Sequence, residues 1–332
     1  SCSVLLLYHA HTEPRRAENS NLVFYNFQSS EELEAVVDPK QEFRVMQLAE
    51  GPMRLDMWQL QLDRAIFEFR YLHAPLRVRG NKKNNNLVFE FILSPVLGPY
   101  ISHGFKITQD TLYGFDNDRS IDLVLPANLL MGTLIINREI FEDCLQVMER
   151  SDLDDHFLAN NYIQSMGSFS SVQDYLRELY GLVRRQDRFL EQPQISRLIL
   201  EDYLPLLIES VPHKRGKYRN PERFFRQWQL AQKAEEYMLA HLDRPITLKD
   251  LCEILRSSKT PLNYAFQEVF TMSPMTYLKL LRLHAVHRAL KVAEPTTKIS
   301  DVARQFGFWH LGRFSQYYRQ LFGQLPSETI AR

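Results

Sequence analysis

From about Leu22 to Ile136, apolar and polar positions fall into short runs. Leu22–Phe27, Arg54–Leu62, Ala65–Leu72, Leu87–Leu93 and Leu129–Ile136 are rich in β-branched or aromatic residues. Turn-forming clusters separate the runs: Glu50-Gly51-Pro52, Arg79-Gly80-Asn81, Leu97-Gly98-Pro99 and Asp116-Asn117-Asp118. Strands at this spacing predict a barrel or a sandwich. The period then lengthens to about 3.6 residues, the helical value. Arg138–Arg150, Val172–Gln186 and Ile195–Val211 are expected helices, and the last two pair across a loop containing Pro193. The fold class is therefore α+β: an N-terminal β-barrel with helices, followed by an all-α domain.

The stretch 213–221 is polar and basic, carries Gly216, and is flanked by Pro212 and Pro221. That is a linker composition, which sets the domains at 1–170, a helical pair at 171–212, a linker at 213–221 and a C-terminal domain at 222–332. The C-terminal domain contains two helical hairpins built on one plan. In the first, Thr247 is an N-cap with Asp250 placed to complete a capping box. Leu248, Leu251, Cys252 and Leu255 form the apolar face, and Ser257-Ser258 end the helix. Pro261 then falls in the first turn of the next helix, where its missing N–H costs nothing. Leu262, Phe266 and Phe270 are its buried stripe, leaving Thr260, Asn263, Tyr264 and Gln267 outward. The second hairpin opens at Ser300 or the residue before it, with Ile299, Val302, Ala303 and Phe306 apolar. Gly307 makes the turn, Phe308 packs beneath it, and a helix from about His310 to Leu321 turns Phe314, Tyr318 and Leu321 inward. Leu311, Arg313, Gln316 and Arg319 lie on its outward face. A helix from about Met275 to Val292 joins the hairpins. Two short helices with the second exposed as a polar rod is the plan of helix-turn-helix recognition, and Asn, Gln and Arg are the side chains that base edges require. An all-α bundle with solvated faces fits the same pattern.

Composition narrows the class. Apolar residues are 45% of the chain and charged ones 24%, as in soluble globular proteins. No apolar run approaches the roughly 20 residues that cross a bilayer, so no membrane partner is expected. The run Val4–Tyr8 has no basic segment before it and is read as a terminal strand or appended residues rather than a secretion signal. Cys2, Cys144 and Cys252 are scattered, which suits a reducing cytoplasm. The net charge is zero, but 16 Lys+Arg stand against 10 Asp+Glu from Pro221 onward, so this part carries +6. A basic C-terminal part suits phosphate neutralisation, and an acidic remainder does not.

At the second hairpin the residues resemble a known family. Lys298-Ile299-Ser300-Asp301-Val302-Ala303, Gly307-Phe308, Phe314, Tyr318, Phe322-Gly323 and Pro326-Ser327 are similar to the signature of AraC/XylS-type transcription regulators. The form Gly307-Phe308-Trp309-His310-Leu311-Gly312-Arg313-Phe314 is similar to the branch that includes ethanolamine-utilisation regulators. The resemblance covers about Trp228 to Ile330. It implies a sequence-specific regulator of promoter or operator double-stranded DNA. The base-reading positions of the family fall on Thr260, Asn263 and Tyr264 in the first hairpin and on Leu311, Gly312, Arg313 and Gln316 in the second. Ser258, Lys259, Gln267, His310 and Arg319 are the expected backbone contacts. Leu311 and Gly312 are poor hydrogen-bonding residues, so the second hairpin is expected to lean on Arg313.

The resemblance further implies a cupin-like N-terminal domain that binds a small-molecule effector, helices that form a homodimer, and contact with RNA polymerase. Glu68 and Arg70 between Phe67, Phe69 and Tyr71, together with Glu90, put one polar face on two strands. That face either meets water or lines the barrel as the effector site. Two rival classes remain in view: a regulator without effector, controlled by abundance or a protein partner, and a metal-dependent cupin enzyme fused to a DNA-binding domain. His9 and His11 share a strand face near the terminus, His73, His103 and His156 are isolated, and His284 and His287 are read as solvated surface. No phosphate-cradling glycine loop or nucleophile elbow is present. Catalytic residues, metal and cofactor are therefore all expected to be absent.

Overall fold

A computed structural model describes residues 15–16, 21–37, 43–81, 86–115, 119–165, 167–213 and 222–330. His9, His11, most of the proposed linker and the Asp116-Asn117-Asp118 turn lie outside the described residues. The chain divides into two units. The first comprises residues up to Val45, Arg54–His103 and Ile107–Arg219; the second comprises Met46–Met53, Gly104–Lys106 and Asn220–Arg332. The result is a mixed α/β chain with a sheet-rich N-terminal part and a helical C-terminal part.

The strands are β1 (Arg15–Arg16), β2 (Leu22–Phe27), β3 (Arg44–Gln47), β4 (Leu55–Gln61), β5 (Ala65–Leu72), β6 (Leu76–Gly80), β7 (Asn86–Ile92), β8 (Ile101–Ser102), β9 (Phe105–Lys106), β10 (Thr111–Tyr113), β11 (Ile121–Leu125), β12 (Leu129–Asn137) and β13 (Tyr162–Gln164). They form one sheet ordered β1-β2-β4-β5-β12-β7-β10-β13 and a second ordered β3-β6-β11-β8-β9. All five strands expected from the alternation are present. Several others were not expected, among them β6, whose Arg79-Gly80 reads as a turn signal in the sequence. Its Arg77 is 2% exposed and ion-paired to Asp122 of β11. A charge buried by pairing breaks the alternation on which strand recognition rests.

The larger sheet has two different faces. Phe67, Phe69, Phe89, Phe91 and Leu134 point to one side and are buried with Leu176, Leu179, Leu204 and Leu207 of helices α4 (Ser170–Arg184) and α5 (Pro193–Ser210). The helical pair is thus part of the first unit, and its leucines serve the chain's own core. Leu198 is the exception at 49% exposed. Pro193 does not lie in the connecting loop as expected but opens α5 at its first turn, where no N–H is needed. Before these, α1 spans Ser30–Val37, α2 Arg138–Val147 and α3 Asp155–Leu158. The expected helix Arg138–Arg150 stops early, and Arg150 leaves it for another role. Its guanidinium is buried and donates to the carbonyls of Ile208 at 2.6 Å and Val211 at 3.0 Å, satisfying the open C-terminal end of α5.

The second unit contains α6 (Glu222–Ala240), α7 (Leu248–Ile254), α8 (Lys259–Phe270), α9 (Pro274–Lys291), α10 (Ile299–Gln305), α11 (Leu311–Phe322) and α12 (Pro326–Ile330). The pairs α7–α8 and α10–α11 are the two hairpins. The reading of His284 and His287 as solvated surface is wrong: they are 2% and 3% exposed on α9. His287 Nδ1 lies 2.6 Å from the Tyr318 hydroxyl and its ring stacks on Phe322, so these residues belong to the core that holds the second hairpin. Among the described residues no group of three or more His, Cys, Asp or Glu is placed to hold a metal ion, and no helix is long and apolar enough to cross a membrane.

Candidate functional site

Each hairpin buries one side of its second helix and exposes the other. In α8, Leu262, Phe266 and Phe270 are buried, and Ala265 and Val269 widen the stripe. Thr260, Asn263, Tyr264 and Gln267 are exposed, as are Ser258 and Lys259 at the start of the helix. In α11, Phe314, Tyr318 and Leu321 are buried, while Gly312, Arg313, Gln316 and Arg319 are exposed and Leu311 is half-buried. The structure therefore brings the sequence-derived positions into two outward rows, one on each helix.

The helix starts add a second feature. Ser258 and His310 are the N-caps of α8 and α11, and neither makes a side-chain cap hydrogen bond. The supporting helices α7 and α9 are instead capped by Thr247 and Ser273. An uncapped N-terminus leaves backbone N–H groups and the positive end of the helix dipole open to an anion.

Two of the exposed side chains are partly engaged. The Asn263 amide donates to the Lys259 carbonyl at 3.0 Å. Its second N–H and its oxygen are the pair that an adenine edge takes. Tyr264 lies under the Arg223 guanidinium of α6, 5.3 Å from ring centroid to Cζ. With Arg226, Gln227, Thr260 and Pro261 these residues line a groove of about 380 Å³. Residues of α6 were missed by the sequence reading because the helix lies outside the hairpin motif. Trp309 was missed as well. It is 73% exposed just before α11, in a turn where helical periodicity assigns no face.

A helix-turn-helix domain model matches residues 251–332. The XylDLEGF operon transcriptional activator 2 of Pseudomonas putida is 34% identical over 103 residues, which are 30% of this chain and 64% of that protein. The probable thc operon regulatory protein of Rhodococcus erythropolis is 33% identical over 98 residues, 29% of this chain and 30% of that protein. The C-terminal part is an AraC/XylS-type helix-turn-helix domain. A solved structure of a probable AraC family transcriptional regulator from Rhodopseudomonas palustris is 35% identical, covering 31% of this chain and 96% of that one with a TM-score of 0.30. This chain thus spans less than two thirds of both curated relatives, and the helix-turn-helix model matches only residues of the second unit.

In the first unit, Glu68, Arg70 and Glu90 come together on the sheet face opposite α4 and α5. The register sets Gln59 across from Glu68, Glu68 from Thr133, Thr133 from Glu90, and Glu90 from Tyr113. Directly opposed residues share a face, so five neighbouring strands contribute one polar row. Arg70 bridges it, reaching Glu90 at 2.6 Å, Thr133 at 3.0 Å and Glu68 at 3.1 Å. Glu68 and Glu90 are 4% and 6% exposed and lie away from water, while the Arg70 side chain is 22% exposed.

Proposed function

We propose that the chain is a sequence-specific DNA-binding transcription regulator that reads two neighbouring segments of major groove, one per hairpin. The observation that carries this reading is the pair of exposed polar rows, each beginning at an uncapped helix N-terminus. Thr260, Asn263, Tyr264, Leu311, Gly312, Arg313 and Gln316 read bases in this proposal. Ser258, Lys259, Gln267, His310 and Arg319 hold the phosphates. In this proposal the domain belongs to the branch that includes ethanolamine-utilisation regulators, a reading supported by the resemblance of the motif around Gly307.

The test is binding of the full chain to promoter fragments over a range of salt. Affinity is expected to fall steeply with salt as counterions are released. Asn263→Ala and Arg313→Ala each remove a base pairing, with an expected cost of about 1–3 kcal/mol in specific binding and little in non-specific binding. Lys259→Ala should weaken both alike and flatten the salt slope. Inserting about five base pairs between the half-elements puts one of them on the opposite face of the duplex. Affinity that survives the insertion, with Arg313→Ala silent, overturns the bipartite model.

In the same proposal the larger and smaller sheets form a cupin-like barrel that takes a small-molecule effector, with Glu68, Arg70 and Glu90 contacting it. The protein acts in the cytoplasm as a homodimer, contacts RNA polymerase and has no enzymatic activity. Since most α4 and α5 leucines face their own sheet, the dimer contact falls on the outer side of α5, where Leu198 is exposed, and on Phe189 of the segment between the two helices. A Leu198→Glu variant that sediments like the wild type, with both monomeric at tens of micromolar, removes the dimer from the proposal.

A further inference from the structure

The other face of the larger sheet carries a feature that the DNA-binding reading does not use. Phe24 lies across from Trp58, and Trp58 from Phe69; one step on, Asn26 lies across from Asp56, and Asp56 from Tyr71. These two rows sit on the face that α4 covers. Tyr180 of α4 closes over the first row, 5.4 Å edge-on from Trp58 and 5.3 Å from Phe69. The helix ends at Arg184, and the aromatic surface continues past it. Phe24, Trp58 and Tyr71 are left half-buried there. They and Tyr180 wall a cavity of about 920 Å³ whose lining also includes Arg54, Asp56, His73 and Arg184. That volume is within the roughly 300–1,000 Å³ of small-molecule sites.

The charges of this lining select a sign. Among the described residues Asp56 is its one carboxylate, 9% exposed at the side chain, and it is already engaged. It accepts from His73 Nε2 at 2.8 Å, from the Asn26 amide, and from Arg54 at 3.3 Å. Burial pushes the Asp56 carboxyl up, but these partners together hold it below the usual carboxylate range. Arg184 is exposed and, among the described residues, makes no ion pair. Aromatic walls by themselves also suit a cation. Here two guanidinium groups face one engaged carboxylate, so the lining repels a cation and attracts an anion.

We propose that this cavity binds a small planar aromatic anion, its ring against Trp58, Tyr71 and Phe24 and its anionic group on Arg184. The cavity is separate from the Glu68, Arg70 and Glu90 row, which lies on the opposite face of the sheet; only its regulatory meaning rests on the sensor reading, and the site itself is testable without DNA. Three probes of one shape decide the chemistry by calorimetry on the full chain: 2-naphthoate, the uncharged 2-naphthamide and the cationic 2-naphthylmethylammonium. Saturable binding is expected to be tightest for 2-naphthoate and weakest for the cation. Arg184→Ala should weaken 2-naphthoate by about tenfold or more, as loss of a charge-assisted pair does, and leave 2-naphthamide unchanged. Arg184→Lys should restore part of the loss. The melting temperature of the ligand-free protein should not move with Arg184→Ala, because the side chain is exposed. Absence of saturable 2-naphthoate binding, equal affinity for the cation, or indifference to Arg184→Ala in a protein that melts normally overturns the site. A second arm measures DNA affinity at saturating 2-naphthoate. Binding without any change in DNA affinity supports the site and overturns its regulatory role alone.

Discussion

The two hairpins of the C-terminal unit present the same kind of surface but are held together differently. The first is secured at its start and strained at its turn. Thr247 and Asp250 form a reciprocal capping box, whereas Arg256, in the turn, adopts φ +49°. The second has the opposite arrangement. Lys298 opens α10 without a side-chain cap, and Gly307 makes the turn at φ +81°. Each also rests on a tyrosine whose hydroxyl finds a buried partner. Tyr277 of α9 stacks on Phe270 at 4.2 Å and donates to Glu235 of α6. Tyr318 of α11 meets His287 at 2.6 Å and Thr329 at 2.7 Å. One reading surface can therefore be reached by distributing local and tertiary stabilisation in different ways, and the differences mark where each hairpin should fail.

The largest expected effect is in the core, where the two should behave alike. Phe266 and Phe314 are 0% and 1% exposed, one in the buried stripe of α8 and the other in that of α11. Phe266→Ala and Phe314→Ala should each cost about 3–5 kcal/mol in urea unfolding followed by circular dichroism, the range for truncating a buried phenylalanine. A loss confined to one of them would show that the hairpins do not share an equivalent core.

The tyrosines should separate the hairpins. Removing a hydroxyl strands its buried partner, at a cost of about 1–3 kcal/mol, with more when the partner is charged. Glu235 is 1% exposed, so Tyr277→Phe takes one donor from a buried acidic side chain. After Tyr318→Phe, His287 loses a neutral hydroxyl partner but keeps its stack on Phe322, and Thr329 keeps a bond from Gln324 at 3.1 Å. Tyr277→Phe is expected to be the more damaging in the same unfolding assay. An equal or larger loss from Tyr318→Phe breaks this contrast.

This also shows which parts of the molecule could be read from the sequence. The hairpins could be read because their signals are local. Thr247 with Asp250, Pro261 in the first turn of α8, and Gly307 each act within a few residues, and the stripe Leu262, Phe266 and Phe270 repeats at the helical period. Residues whose role depends on a distant partner could not. His284 and His287 look like polar surface until Tyr318 and Phe322 close over them. Arg77 hides a strand because Asp122 neutralises it, and Arg150 looks like the end of a helix although it caps a different one. The polar row of Glu68, Arg70 and Glu90 was visible as alternation, but its burial depends on the rest of the fold. The aromatic cavity required the register of three strands and the end of α4, which no local pattern encodes.

The turns offer a smaller contrast of opposite sign. A residue with a Cβ held in the left-handed region costs about 1–2 kcal/mol, and glycine gives part of that back as chain entropy on folding. At Gly307 a Cβ would also come within 3.1 Å of the Arg282 guanidinium. Gly307→Ala should therefore destabilise by about 1–2 kcal/mol. Arg256→Gly should stabilise by less than about 1 kcal/mol, because relief of strain is offset by entropy. Thermal melts of the two variants should move in opposite directions, and a Gly307→Ala melt at or above the wild type would contradict the role assigned to the turn.

The smallest effects lie at the caps, and they test whether the hairpins' starts are interchangeable. Asp301 occupies the third position of α10, as Asp250 does in α7, so the second hairpin already has half of a capping box. Lys298→Thr supplies the missing hydroxyl and should stabilise by about 0.5–1 kcal/mol, while Thr247→Ala should lose about 1 kcal/mol. The loss should depend on pH. Hydrogen bonds from the Thr247 hydroxyl and backbone N–H, both 2.8 Å, hold the Asp250 carboxyl below its ordinary range. A carboxylate whose pKa is lowered by folding contributes stability above its unfolded pKa and loses it as pH falls through the folded value. The deficit of Thr247→Ala is therefore expected to be full near neutrality and to narrow in acid, once Asp250 is protonated in both proteins. The bond from the Asp250 N–H to the Thr247 hydroxyl, at 3.2 Å, does not titrate, so part of the deficit should persist. A deficit that stays constant across the carboxylate range would mean that this backbone bond alone supports the cap.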